Sequence, residues 1–148
     1  MFGICSYQAK HTENVGTLFR SAYLYGCSSL NTVGRKYSTQ SSDTVHSTKH
    51  INYYHFESFD NFLNKWKGSL AIVAVELDDN AISIENFIHP YNAIYVLGNE
   101  SYGIPKKNLD KCDYIVQIPT VHPYSMNVAV AGSIVLADRF HKTLLGDN

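Results

Sequence analysis

Several residue types are scarce in this chain of 148 residues, which has one Trp, two Met, three Cys and four Pro. The cysteines Cys5, Cys27 and Cys112 stand alone, without any Cys-x-x-Cys pair. An odd number of isolated cysteines indicates neither a disulfide framework nor a zinc site. We therefore expect reduced cysteines in the core of a cytoplasmic protein.

Long hydrophobic runs and an excess of one charge are also missing. No apolar run approaches the roughly 20 residues that span a bilayer, and the first residues lack the basic and apolar regions of a signal peptide. We therefore predict neither a membrane span nor a leader. A formal net charge of −1 excludes a protein dominated by basic surface. If the protein binds nucleic acid, local clusters of Lys and Arg must provide the contacts.

Familiar catalytic signatures are absent as well. The sequence contains no G-x-S-x-G nucleophile elbow, no Walker A loop and no G-x-G-x-x-G fingerprint. Its seven histidines are scattered, and we predict no metal site. The apolar content of 45% is typical of a globular protein. The length suits one α/β domain, which we predict over residues 1–148 without a separate RNA-binding extension.

Apolar runs of strand length alternate along the chain with segments of helical periodicity. Strands are predicted at residues 2–7, 29–34, 51–56, 70–77, 93–97 and 114–118. Helices are predicted at residues 14–25, 58–67, 83–87 and 105–111, and from residue 128 onward. This alternation predicts a parallel α/β sheet with right-handed crossovers.

The segment at residues 117–140 is unusual because residues 128–137 are apolar or small almost throughout. Such a pattern predicts a helix that is buried on several sides. Ser125 and Asn127 stand where the N-cap of this helix belongs. Small side chains would let another backbone approach the helix closely, at Ala129, Ala131, Gly132 and Ala137.

Two features leave alternatives open. Gly16 lies inside a predicted helix, where glycine costs roughly 1 kcal/mol relative to alanine. Close packing on the first strand would explain it, and so would close approach of a ligand or a partner backbone. Residues 35–50 are polar and rich in Ser and Thr, which is typical of a solvated loop, although loops of this length are often functional.

Polar side chains gather where the predicted strands end, and ligands of open parallel sheets bind beyond these carboxyl ends. We expect the loops at residues 98–103 and 118–127 to leave neighbouring strands and to face each other across one cleft. The first helix could border the same cleft. The resulting polar cluster comprises Asn14, Arg20, Glu100, Ser125 and Asn127. Taken singly, each is equally well explained as a cap, a surface cation or a turn residue.

Three segments, in order along the chain, resemble motifs of the SPOUT methyltransferases. The branch is the SpoU (TrmH-like) group, which methylates ribose 2′-hydroxyls in tRNA or rRNA. The first motif, N-x-G-x-x-x-R-x-A, is resembled by the segment that starts at Asn14, N-V-G-T-L-F-R-S-A. G-N-E-S-Y-G, from Gly98, resembles the second, and I-P from Ile118 followed by S-M-N from Ser125 resembles the third.

The resemblance implies an RNA ribose 2′-O-methyltransferase that uses S-adenosyl-L-methionine and no metal, with tRNA favoured over rRNA. It also implies a deep C-terminal trefoil knot that forms the cofactor pocket, and a homodimer through the first and last helices. Two alternatives remain: a knotted RNA-binding protein that has lost catalysis, and an enzyme of the same fold that methylates a base nitrogen.

The same resemblance assigns roles to individual residues. Arg20 would bind the phosphate of the target nucleotide and promote attack by the 2′-hydroxyl, Asn14 and Glu100 would position Arg20 and the ribose, and Asn127 would fix the third loop. The implied cofactor-binding residues are Val75, Leu97, Gly98, Ile118, Ser125 and Met126. RNA contacts are expected from the local basic clusters, which are Arg35, Lys36, Lys49, Lys106, Lys107 and Lys111.

Overall fold

The computed structural model of the protein describes residues 1–144, which form an α/β fold. The strands are β1 (Phe2–Tyr7), β2 (Ser29–Val33), β3 (Asn52–Phe56), β4 (Ala71–Val75), β5 (Ile82–Ser83), β6 (Ala93–Leu97) and β7 (Tyr114–Gln117). The helices are α1 (Thr12–Leu24), α2 (Phe59–Trp66), α3 (Lys106–Leu109) and α4 (Val128–Leu144). The strands make one sheet in the order β3-β2-β1-β6-β4-β7-β5.

All pairs of neighbouring strands run parallel, which confirms the predicted sheet type. Side chains alternate between its two faces. Ile4 and Tyr95 join the core under α1 and α4, while Cys5 and Val96 join the core under α2. Burial on both faces explains the continuous apolar runs of the central strands. No helix within residues 1–144 is long and apolar enough to cross a membrane.

The predicted helix at residues 83–87 is wrong. The chain there forms the two-residue strand β5, which pairs with β7, and then a single 3₁₀ turn at Ile84–Asn86. Ile84 and Phe87 are buried. The apolar spacing that suggests a helix therefore comes from two side chains that pack into the core at this turn. Most other boundaries shift by one to three residues, as at α1, which begins at Thr12.

The long polar stretch at residues 35–50 is not simply a solvated loop. Its Asp43 is buried and accepts hydrogen bonds from the Tyr37 hydroxyl (3.0 Å) and the Ser47 hydroxyl (2.7 Å). A side chain at Gly16 would collide with Ser42 and Gln40 of this stretch. The glycine therefore makes room for the loop, so neither packing on the first strand nor a ligand is needed to explain it.

Helices α1 and α4 pack against each other on one face of the sheet. A Cβ at Gly132 would collide with Leu18 of α1, and the hydroxyls of Ser21 and Ser133 lie 2.7 Å apart across the contact. This close approach agrees with the expectation from the small residues of α4. However, Val130 is 48% exposed, so α4 is not covered on all sides within this chain.

A polar network around His89 joins the C-terminal half of α4 to the segment before β6. The His89 side chain is 0% exposed. The His89 ring nitrogens lie 2.6 Å from the Tyr95 hydroxyl and 2.8 Å from an Asp138 oxygen. Asp138 also pairs with Lys142 at 2.8 Å, and Arg139 donates to the Tyr95 hydroxyl at 3.1 Å. Burial lowers the pKa of His89, although Asp138 opposes this, and burial raises the pKa of Tyr95 to about 12.

We expect the stability of the protein to fall in mildly acidic solution because of His89. Its folded-state pKa is depressed, so the contribution is complete above the unfolded pKa of about 6.5 and is lost as the pH falls through the folded pKa. Urea unfolding between pH 7.5 and 5.5 measures this slope. In H89Q the slope should be shallower, while H141Q, at an exposed histidine on α4, should keep it. Equal slopes in H89Q and the wild type would contradict the prediction.

Candidate active site

A cavity of about 240 Å³ lies where strands β4, β6 and β7 end. Its lining includes residues from the ends of these three strands, from the loop at 98–103 and from the loop at 118–127. All six residues that were assigned to the cofactor contribute to this lining: Val75, Leu97, Gly98, Ile118, Ser125 and Met126. The structure thus brings the six together at the edge of the sheet where ligands of parallel α/β folds bind.

The two loops face one cavity for a different reason from the one expected. They do not leave neighbouring strands, because β4 lies between β6 and β7 in the sheet. Val75 and the residues after it therefore form part of the cavity wall between the loops. The order of the strands in the sequence suggests that β6 and β7 are adjacent. In the structure, β7 instead pairs with the side of β4 that faces away from β6.

A chain of side-chain hydrogen bonds connects the three motif segments beside the cavity. The Asn127 amide nitrogen donates to Asn14 Oδ1 at 3.2 Å, and the Asn14 amide nitrogen donates to Glu100 Oε1 at 3.3 Å. Glu100 lies 86 positions and Asn127 lies 113 positions after Asn14 in the sequence. Their meeting accounts for the position of Asn14, which lies inside α1 and does not cap it.

The Glu100 carboxylate also holds the loop that joins β1 to α1. It accepts hydrogen bonds from the backbone N–H of Lys10 (2.7 Å) and of His11 (3.5 Å). Partial burial by itself would raise the pKa of Glu100, but the donated hydrogen bonds outweigh it and the pKa is lowered. Glu100 therefore stays an ionised acceptor that fixes the start of α1 against the loop at residues 98–103.

Asn127 is the N-cap of α4, as predicted. Its side-chain oxygen accepts hydrogen bonds from the backbone N–H groups of Ala129 (2.9 Å) and Val130 (3.2 Å). Ser125 makes no such cap and instead lines the cavity. The same Asn127 amide thus stabilises the helix end with its oxygen and reaches the first motif with its nitrogen.

The turn at residues 98–103 is built around Asn99 and two glycines. The Asn99 side-chain oxygen accepts hydrogen bonds from the backbone N–H of Ser101 (2.7 Å) and Tyr102 (3.2 Å), and its amide donates to the Gln8 carbonyl (2.7 Å). Gly103 has a φ of +68°, which favours glycine. Side-chain hydrogen bonds of this kind are typical of Asn in tight turns, and sequence reasoning had assigned Asn99 no role.

Arg20 is not brought to the cavity of its own chain. It lies on the exposed side of α1, six residues or about 9 Å of helix rise beyond Asn14. Within residues 1–144 its guanidinium has neither a hydrogen-bond partner nor an ion-pair partner. Four members of the predicted polar cluster therefore border the cavity or its hydrogen-bonded rim, and Arg20 stands apart.

The predicted RNA-binding cations differ in their availability. Arg35 donates to the Lys10 carbonyl at 2.6 Å, while Lys106 pairs with Asp110 at 3.0 Å and Lys111 pairs with Asp60 at 2.7 Å. The remaining three are exposed and have no ion-pair partner in the described part of the chain: Lys36, Lys49 and Lys107. These three keep their charge available to an anionic partner.

Several residues of the cavity lining have no predicted role, and three of them carry polar side chains of particular interest. Glu76 follows β4, and the exposed Tyr102 and Tyr124 belong to the two loops. Glu76 could have been found as the lone acid at the end of a long apolar run, whereas nothing in the sequence distinguishes the tyrosines. Within residues 1–144, no cluster of three His, Cys, Asp or Glu side chains could hold a metal ion.

Comparison with known proteins gives matches along nearly the whole chain. The model of the SpoU rRNA Methylase family matches residues 1–137. The tRNA (guanosine(18)-2′-O)-methyltransferase of Escherichia coli (strain K12) is 25% identical over 137 residues, which are 90% of this chain and 60% of that protein. A TrmH family tRNA/rRNA methyltransferase of Staphylococcus aureus (strain COL) is 25% identical, with coverage of 88% and 54%. The chain thus spans about half the length of the curated relatives it matches.

Solved structures share the fold. An AdoMet-bound rRNA methyltransferase from Sinorhizobium meliloti superposes with a TM-score of 0.83 at 21% identity, covering 97% of this chain and 57% of that one. A structure described as giving insights into the 2-OH methylation of C/U34 on tRNA superposes with a TM-score of 0.82 at 22% identity. The match covers 96% of this chain and 95% of that one. The family model matches all three motif segments, which meet at one cavity, and this chain therefore belongs to the SpoU rRNA Methylase family.

Proposed function

We propose that this protein is an S-adenosyl-L-methionine-dependent RNA ribose 2′-O-methyltransferase. The observation that carries the proposal is the hydrogen-bonded series Asn127–Asn14–Glu100, which joins three distant motif segments at the edge of one cavity. A group of caps and turn residues without a common function has no need to meet in this way. The proposal agrees with the names of the relatives, which are tRNA or rRNA methyltransferases.

The cavity suits the proposed cofactor in its apolar lining and its charge. Apolar side chains of Val75, Leu97 and Ile118 line it, and so do the backbone groups of Gly98 and Met126. These residues would hold the adenine and methionine parts of the cofactor. The charged lining residues are both carboxylates, which suits a molecule with a net positive charge. When bound, the cofactor supplies an electrophilic methyl group.

The residues of the chain would then orient the RNA for an in-line displacement. With the cofactor bound, they would align the 2′-hydroxyl oxygen with the methyl group, which would pass from sulfur to oxygen as the C–S bond breaks, and the hydroxyl proton would be released to water. Arg20 would hold the phosphate of the target nucleotide and stabilise the developing alkoxide. It would not act as the base, because an arginine guanidinium is effectively never deprotonated in a protein.

A deep C-terminal knot and a homodimer complete the proposal. The knot is supported by the contact between α4 and the segment before β6, where Arg139 donates to the Pro90 carbonyl (2.6 Å) and the Tyr91 carbonyl (2.8 Å). An experimental structure that traces α4 outside this segment would contradict the knot.

The homodimer is supported by exposed apolar side chains on the packed pair α1 and α4. Leu24 is 65% exposed and Val130 is 48% exposed, and covering them with a second copy removes apolar surface from water. Arg20 lies on the exposed side of the same helix α1, so a dimer through this face would bring it near the partner. Sedimentation velocity that gives only monomer at micromolar concentration would contradict the dimer.

We favour tRNA over rRNA as the substrate. The solved structure that concerns methylation of C/U34 on tRNA is matched over 95% of its length, whereas the curated relatives are matched over about half. Of the predicted RNA-binding cations, only the side chains of Lys36, Lys49 and Lys107 have no ion-pair or hydrogen-bond partner within residues 1–144, so RNA binding should be modest and should weaken as salt rises. An anticodon stem-loop is a target of suitable size.

Incubation of the protein with labelled cofactor and unmodified cellular RNA should yield 2′-O-methylnucleosides in the tRNA fraction. Nucleoside analysis by mass spectrometry measures them and separates the alternatives. A methylated base would favour the nitrogen methyltransferase, and label in rRNA alone would change the substrate. Cofactor binding without any transfer, across both the tRNA and rRNA fractions, would favour the RNA-binding protein and overturn the proposed activity.

A further inference from the structure

Glu76 places a fixed carboxylate in the wall of the cavity. It follows β4 directly, and its two side-chain oxygens accept hydrogen bonds from separate backbone groups, the N–H of Leu77 (3.0 Å) and the N–H of Ile104 (3.0 Å). Both bonds come from neutral donors, so the negative charge is held in place without being neutralised. A carboxylate accepts about four hydrogen bonds, which leaves capacity toward the cavity.

No cation compensates this charge within the described part of the chain. Glu76 has no ion pair among residues 1–144, and the cavity lining contains no Lys, Arg or His. The other acidic lining residue, Glu100, is occupied by donors from Lys10, His11 and Asn14. Glu76 is therefore the cavity carboxylate whose charge is directed at whatever the cavity holds.

The neighbouring turn is shaped around the Glu76 side chain. A Cβ at Gly103 would collide with Glu76 Oε2, and the φ of +68° at Gly103 turns the chain so that the next N–H, that of Ile104, points at the same carboxylate. The position of Glu76 is thus held by the loop that carries the second motif. A carboxylate held so rigidly acts on a ligand with little loss of side-chain entropy.

We propose that Glu76 makes the site selective for the positively charged cofactor over its spent product, an inference that rests on the proposed function. S-adenosylmethionine carries a sulfonium charge, and loss of the methyl group leaves a neutral thioether in S-adenosylhomocysteine. The rest of the two molecules is the same. An uncompensated carboxylate in a partly enclosed cavity attracts the first more strongly than the second, because the attraction between unlike charges is weakly screened there. Glu76 thereby favours loading of the substrate cofactor and release of the product.

Calorimetric titration of the full chain with both ligands tests this assignment. In E76Q, the dissociation constant for S-adenosylmethionine should rise about tenfold, equivalent to about 1.4 kcal/mol, while that for S-adenosylhomocysteine should change less than about threefold. Sinefungin, which carries an ammonium group in place of the methyl sulfonium, should behave like S-adenosylmethionine. E85Q, at an exposed acid outside the cavity, should leave all three values unchanged.

The three ligands separate a charge effect from a structural one. Equal weakening of all three in E76Q would show that the carboxylate holds the 98–103 loop or binds a group that the three ligands share, and would overturn the proposal, as would unchanged binding of all three. Wild-type protein that binds neither S-adenosylmethionine nor S-adenosylhomocysteine would overturn both this proposal and the proposed cofactor. Wild-type protein that shows the selectivity but methylates no RNA would overturn the proposed activity alone.

Discussion

Replacement of Arg20 by alanine should lower the rate of methyl transfer to RNA by about 100- to 1000-fold, with little change in cofactor affinity. This is the range lost when one donor that stabilises transition-state charge is removed. Arg20 is exposed on α1 and is not part of the cofactor cavity, so cofactor binding should stay within about twofold. Single-turnover methylation and calorimetric titration with S-adenosylmethionine measure the two quantities separately.

Two further variants test whether the charge and the shape of the Arg20 side chain are both needed. R20K keeps the charge but loses the planar fork that matches a phosphate, so it should recover only part of the rate. K65A removes an exposed cation from α2, on the opposite face of the sheet from α1, and should keep the full rate. An R20A enzyme with the wild-type rate would show that Arg20 has no catalytic role.

Replacement of Gly98 by alanine should weaken cofactor binding by about 100-fold or more. The added Cβ would lie 2.7 Å from the carbonyl carbon of Gly103 and 2.9 Å from the nitrogen of Ile104. Real Cβ atoms do not come this close to a backbone, and two hydrogen bonds between Asn99 and Gly103, of 2.8 and 3.2 Å, resist opening of the turn. Calorimetric titration measures the loss, and circular dichroism checks that the variant is folded.

Gly68 offers a matched control for Gly98. Its φ is +93° and a Cβ there would meet nothing within 4 Å. G68A should therefore cost about 1 kcal/mol of stability through its backbone conformation and leave cofactor affinity unchanged. A folded G98A protein that binds S-adenosylmethionine as well as the wild type would contradict the importance of this close approach.

The strands were predictable because burial on both faces leaves a continuous apolar run, as in β4 and β6. Their order was not, because the pairing of β4 with both β6 and β7 depends on contacts between segments far apart in the sequence. The turn at Ile84–Asn86 was misread for a related reason. Two buried residues three positions apart are compatible with a helix, a 3₁₀ turn and an irregular segment, and tertiary packing decides among them.

The candidate site was predictable where it depends on spacing within motifs and unpredictable where it depends on geometry between them. Asn14, Glu100 and Asn127 could be named from the sequence, but the hydrogen bonds that connect them could not. The spacing of six residues places Arg20 more than one helical turn from Asn14, but its separation from the cavity also depends on the direction of α1, which the sequence does not show. Glu76 belongs to no motif; the sequence marks it only as an acid at the end of an apolar run, and its place beside the 98–103 turn is what indicates a role.

The two bonds made by Asn127 also have a consequence for biosynthesis. A chain emerges from the ribosome with its N-terminal part first, so Asn14 and Glu100 become available well before Asn127. The cavity gains its last wall, and α4 its cap, only when the final quarter of the chain has been made. A chain that stops short of residue 127 therefore has two of the three motif segments but lacks the bonds that cap α4 and join it to Asn14, so we expect such a chain not to bind S-adenosylmethionine.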